Sequence, residues 1–114
     1  MSHNKLLSML GIARKAGKLS LGNDPAIEAI RNGLAYLILT ASDLSQRTLR
    51  GICYAAEEKM IEILIIDNTM DEIEIALGRR TGIIAVNDAG FAEKLRTLCG
   101  KADSKQRNEK EISL

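Results

Sequence analysis

Residues 24–41 read DPAIEAIRNGLAYLILTA, and two hydrophobic periods meet inside that stretch. Asp24 is placed to cap a helix whose first position is Pro25, a residue that needs no amide partner there. Ala26, Ile27, Ala29 and Ile30 follow at helical spacing, and Asn32–Gly33 is a stop signal. YLILTA at 36–41 then runs apolar without alternation, as a strand covered on both faces does. A helix that stops and feeds a doubly buried strand marks an α/β chain.

The same alternation extends in both directions. Upstream, NKLLSMLGIARKA at 4–16 puts Leu6, Leu7, Leu10 and Ala13 at helical spacing, Gly17 ends it, and KLSL at 18–21 is a short extended piece. Downstream, residues 45–60 carry Leu49, Ile52, Cys53, Ala56 and Met60 as one apolar stripe, and EILIID at 62–67 is a second buried strand. Thr69 with Glu72 forms a capping box for a short helix ending at Gly78. GIIAVN at 82–87 is the third strong strand, and Asp88 caps a final helix bearing Phe91, Leu95, Leu98 and Cys99. Strands alternating with helices predict an α/β fold, a three-layer α/β/α sandwich forming one domain over residues 1–100. KADSKQRNEKEISL at 101–114 is polar and aperiodic, the pattern of a disordered tail.

Composition excludes several classes. The chain has 114 residues, 46% of them hydrophobic, which is too apolar and too well patterned for disorder. No apolar run approaches the ~20 residues that span a bilayer, so no membrane partner is expected. Two cysteines and an N-terminus interrupted by Asn4, Lys5 and Ser8 point to a reducing cytoplasm rather than a secreted scaffold.

Catalytic constellations are equally scarce. The single histidine, His3, stands at the N-terminus, while Cys53 and Cys99 sit on apolar stripes with no histidine beside them. Zinc ligands are lacking. Gly17 and Gly22 have phosphate-loop spacing, but Asn23–Asp24 follow where Lys–Ser/Thr is required. Asp43 and Asp67 stand at strand ends, with Asp43 expected to cap the following helix rather than bind magnesium. Met9, Met60 and Met70 fit core spacing. The expectation is a protein without enzymatic activity, metal, cofactor or small-molecule substrate.

Charge is more informative by segment than in total. The formal balance is only +1, yet residues 1–50 hold seven bases against three acids, and residues 51–78 one base against seven acids. Basic groups return at Arg79–Arg80. Two glycine-containing loops carry cations: GKLSLGND, with Lys18, and LGRRTG, with Arg79 and Arg80. Glycine lets backbone approach a ligand closely, and a helix start after Gly22 offers unpaired N–H groups to phosphate. Tyr36, Tyr54 and Phe91 are the only aromatics and all fall in apolar segments, so most are expected to be buried. A protein so built would read folded RNA by backbone, polar side chains and arginine, not by stacking single-stranded bases.

The run G-x-x-x-x-x-A-I-R-N-G-x-A-x-L-x-L-x-A-x-D from Gly22 to Asp43 resembles the kink-turn-binding ribosomal protein family, the L-seven-Ae, L-thirty-e and Gadd-forty-five superfamily. LLSMLGIARKAGKLSLG at 6–22 is similar to the opening of its bacterial YlxQ-like branch, and EILIID, Leu77–Gly78 and AVNDAGFAEKL continue the order to about residue 98. The resemblance implies a small four-stranded mixed sheet, with an RNA-binding end formed by the helix start near Gly22 and the loop near Arg79. It implies a ribosome-associated protein whose partner is a structured RNA, ribosomal or kink-turn.

Members of that family typically carry G-x-N-E-x-x-K at the helix start. Counted from Gly22, Asp24 replaces the Asn, Pro25 the Glu and Glu28 the Lys; counted one residue earlier, Asn23–Asp24 match Asn–Glu but Ile27 takes the lysine position. The candidate contacts are therefore Lys18, Arg31, Arg79 and Arg80 for phosphate, and Gly22, Asn23 and Asp24 for a kinked or looped RNA. Glu28 and Thr81 complete the set. The alternative is a protein-interaction module on the same fold, for which the acids between Glu57 and Glu74 speak.

Overall fold

The computed structural model describes residues 2–99, and side chains from Lys5 onward. The segment 101–114, expected as a tail, lies outside the described residues, as does the His3 side chain. In chain order the elements are α1 (Ser2–Lys15), β1 (Leu19–Leu21), α2 (Asn23–Arg31), β2 (Leu37–Thr40), α3 (Gln46–Glu58), β3 (Ile63–Ile65), α4 (Met70–Leu77), β4 (Ile83–Val86) and a last helix, α5, over 89–99.

The two most uniformly apolar runs take the centre of the sheet, whose order is β1-β4-β2-β3. Every residue of β2 and β4 is buried. β4 is antiparallel to both neighbours, while β2 and β3 are parallel, so the four-stranded sheet is mixed. Alternation then sorts side chains into two layers. Leu37, Leu39, Ile84 and Val86 join Leu6 and Leu10 of α1, Ile73 and Leu77 of α4, and Leu95 of α5 in one core. Ile38, Ile83 and Ala85 face Ala26, Ala29 and Ile30 of α2 with Ile52 and Ala56 of α3. The α/β/α sandwich follows directly from that division.

Helix ends follow the expected chemistry in most places. Thr69 and Glu72 form the capping box on α4, with Glu72 N–H donating to Thr69 Oγ1 at 3.2 Å and Thr69 N–H to Glu72 Oε1 at 3.0 Å. α2 closes through Gly33 N–H to Ile30 O and Leu34 N–H to Ala29 O, with Gly33 left-handed.

Several expectations need correction. α2 begins two residues before Pro25: Gly22 is the N-cap, Asn23 and Asp24 are already helical, and Ala26 N–H makes the first i−4 bond, to Gly22 O at 3.0 Å. Proline is tolerated here because the third helical position also lacks an intrahelical acceptor. α3 stops at Glu58, so Met60 is not on its apolar stripe; it closes the helix in the left-handed region, φ 58°, with its side chain exposed. β3 is an edge strand rather than a buried one, and Ile65 is half exposed. Two of the three aromatics are also exposed. Tyr36 immediately precedes β2, and Tyr54 sits two residues from buried Ile52 and Ala56, on the solvent side of α3. No described helix is long and apolar enough to cross a membrane.

Candidate nucleic-acid interface

Register decides which loops meet. Gly22 N–H donates to Ile83 O, Ala41 N–H to Gly82 O and Ser42 N–H to Asn68 O, each at 2.9 Å. One end of the sheet therefore collects the β1–α2 junction, the β2–α3 loop, the β3–α4 loop and the α4–β4 loop. Their contacts are close: a Cβ on Gly82 would stand 2.6 Å from Leu44 Cδ1 and 3.0 Å from Met70 Sδ. Asp43 contributes by a route unlike the one expected. Ser45, not Asp43, caps α3 by accepting from Thr48 N–H at 3.2 Å. Asp43 instead accepts from Met70 N–H at 3.0 Å, joining the β2–α3 loop to the start of α4. A carboxylate there also complements the positive end of that helix.

At this end the α2 start is bare of any side-chain cap. Gly22 holds φ 105° and ψ 165°, a backbone conformation essentially restricted to glycine, so the sequence requires glycine where the chain turns into the helix. Gly22→Ala is expected to cost about 1–3 kcal/mol of stability, checked by urea denaturation. Asn23 Nδ2 lies 3.3 Å from Asp24 Oδ1, so the two polar side chains form one exposed unit beside these amides.

The α4–β4 loop is firmly seated. Gly78 is left-handed, φ 80°, with its N–H on Glu74 O at 2.7 Å, and the Arg14 guanidinium donates to Leu77 O. Thr81, a candidate contact, is buried, and its hydroxyl both donates to Ile83 O and accepts from Ile83 N–H. It shapes the loop from inside. Arg80 is held by Asp71, with Glu74 at 4.0 Å, whereas adjacent Arg79 is exposed and has no carboxylate partner among the described residues.

The candidate cations do not share one place. Asn87 N–H donates to Lys18 O and Tyr36 N–H to Val86 O, both at 2.8 Å, which sets Lys18 at the other end of β1 from Gly22. Arg31 closes α2 at that same far end. The physical reason is directional: a strand and a helix each carry the chain from one end of the sheet to the other, so residues flanking one element separate. Glu28 is exposed in the second turn of α2, nearer Arg31 than Gly22.

Two exposed cations that the sequence reading did not single out do stand at the Gly22 end. α3 begins at the Gly22 end of the sheet, so Arg47 in its first turn and Arg50 in the next are exposed cations there, with no ion pair among the described residues. The signal was present in the basic excess of residues 1–50. Burial first, and Glu57 second, push the Cys53 thiol above its ordinary range, which disfavours the thiolate.

The model of the Ribosomal protein L7Ae/L30e/S12e/Gadd45 family matches residues 4–96. The chain is 32% identical over 108 residues to the RNA-binding protein YlxQ of Bacillus subtilis, covering 86% of this chain and 98% of that one. Against the large ribosomal subunit protein eL30 of Dictyostelium discoideum it is 30% identical, covering 89% and 92%. A solved protein of unknown function from Bacillus halodurans superposes with TM-score 0.78 at 30% identity, covering 83% of this chain and 96% of that one. The Giardia lamblia 15.5kD RNA binding protein superposes with TM-score 0.73 at 16% identity, covering 90% and 88%, a likeness of fold. With the match running from the first helix through the last, the chain belongs to the Ribosomal protein L7Ae/L30e/S12e/Gadd45 family.

Proposed function

We propose that this chain is a non-enzymatic, ribosome-associated RNA-binding protein of the cytoplasm, with residues 1–100 as its RNA-binding domain. It reads a structured, kink-turn-like RNA at the Gly22 end of the sheet. The observation that carries this is convergence: the uncapped α2 start, Arg47 and Arg79 stand at one end, with neither arginine engaged by a carboxylate among the described residues. The α2 amides and the helix dipole attract a phosphate, and the two guanidinium groups supply planar donors for its neighbours. Asn23 and Asp24 present acceptors and an amide suited to base edges, while Arg80 and the inward-facing Thr81 support the loop. Lys18, Arg31 and Glu28 lie outside this core contact.

A filter-binding titration against a kink-turn RNA and a scrambled duplex of equal length tests the function. Tighter binding to the kink-turn at both low and moderate salt is expected, and equal binding contradicts it. Glu28 provides a second test. Lying beyond the core contact, it acts on the RNA only through a screened field, so Glu28→Lys is expected to tighten kink-turn binding by less than about 2-fold at ~0.1 M salt, measured in the same titration.

A further inference from the structure

Arg79 and Arg80 are neighbours in sequence, yet the fold gives them opposite surroundings. Arg79 projects with no carboxylate partner among the described residues, whereas Arg80 is hydrogen-bonded and ion-paired to Asp71, with Glu74 at 4.0 Å. Asp43 adds a third carboxylate that favours the Arg80 charge. The loop that carries both is anchored on either side, because Gly78 N–H donates to Glu74 O, Thr81 is buried and hydrogen-bonded to Ile83, and Gly82 leaves no room for a Cβ beside Leu44 and Met70. Any change of partner at Arg80 is therefore a side-chain event.

We propose that Asp71 and Glu74 are affinity-setting residues of this site: they hold Arg80 in reserve, and bound RNA must exchange a carboxylate for a phosphate before Arg80 contributes. The inference rests on the RNA-binding function above. The exchange is accessible, because the Arg80 side chain is 50% exposed, and Asp71 and Glu74 are 77% and 53% exposed. An ion pair in water is weak, so a phosphate of equal or greater charge density displaces it readily. The same acids make the α4 flank repellent, and the RNA is steered towards Arg47 and Arg50 on the α3 side.

The test is a titration of a kink-turn RNA hairpin at several salt concentrations with the native chain, D71N/E74Q, R80Q and the triple variant. Glu72 is left in place, so α4 keeps its capping box, and thermal melts verify folding; E74Q alone, which leaves the first turn of α4 unchanged, reads the same effect at smaller size. D71N/E74Q is expected to bind about 5-fold tighter at ~0.1 M salt, with a log K against log salt slope steeper by about 0.9 as one further phosphate is neutralised. In the R80Q background the gain is expected to shrink below about 2-fold. No tightening by D71N/E74Q, or an equal gain without Arg80, overturns the inference alone. If neither the native chain nor D71N/E74Q binds structured RNA, the RNA function and the inference fall together.

Discussion

Leu39→Ala is expected to lower the stability of the domain by about 2–5 kcal/mol, the largest single-residue effect argued from this fold. Leu39 lies in β2, one of the two central strands, paired with Ile84 of β4 and Leu64 of β3. It has no solvent exposure and packs into the layer shared by α1, α4 and α5. Truncation leaves a cavity where three helices and the sheet meet, and a strand hydrogen-bonded on both sides cannot move to fill it. Urea denaturation reads the loss, and a thermal melt should fall by about 4–8 °C per kcal/mol for a domain of this size. Ile65→Ala gives the contrast. That side chain is 53% exposed on the edge strand, and its loss is expected to cost under about 1 kcal/mol.

The second large effect is on binding. Arg47→Ala with Arg79→Ala is expected to weaken kink-turn affinity by about 30- to 100-fold at ~0.1 M salt, as two charge-assisted contacts disappear. The slope of log K against log salt should become shallower by about 1.8, the signature of two lost phosphates. Lys18→Ala with Arg31→Ala removes the same formal charge from the far end of the sheet. It is expected to change affinity by less than about 2-fold, since those charges act only through a screened field. The two pairs thus separate a contact from a general charge effect, and filter binding measures both.

Much of the fold was legible because local signals were consistent with one another. The period change within 24–41 marked α2 and β2, the Thr69–Glu72 capping box marked α4, and Gly17, Asn32–Gly33 and Gly78 marked helix ends. Errors arose where the deciding interaction is not local. EILIID reads as a buried strand, but only the strand order places it at the edge. Met60 falls on the helical stripe of α3, yet the chain has already turned left-handed to reach β3. Pro25 suits a first helical position and equally a third, so proline alone did not fix where α2 begins.

The candidate site was legible in part. Gly22 and Arg79 could be singled out from sequence because loop composition is a local property, whereas the positive φ of Gly22 and the contrast between Arg79 and Arg80 come from the fold. Lys18 and Arg31 were grouped with them by charge and nearness in sequence, and the sheet register separates them. Arg47 and Arg50 were counted as charge without being placed, because the direction of α3 relative to α2 emerges only once the strands are ordered. Net charge had the same weakness: a balance of +1 conceals a basic first half and an acidic middle.

The most direct measurement is an NMR titration of the labelled protein with a kink-turn RNA, following every backbone amide. Shifts should concentrate at Gly22–Ala26, Asp43–Arg47 and Arg79–Gly82, with Lys18 and Leu34–Tyr36 left nearly unmoved. Shifts centred on Lys18, Arg31 and Tyr36, or none at saturating RNA, would contradict the assignment of the Gly22 end as the RNA-binding surface.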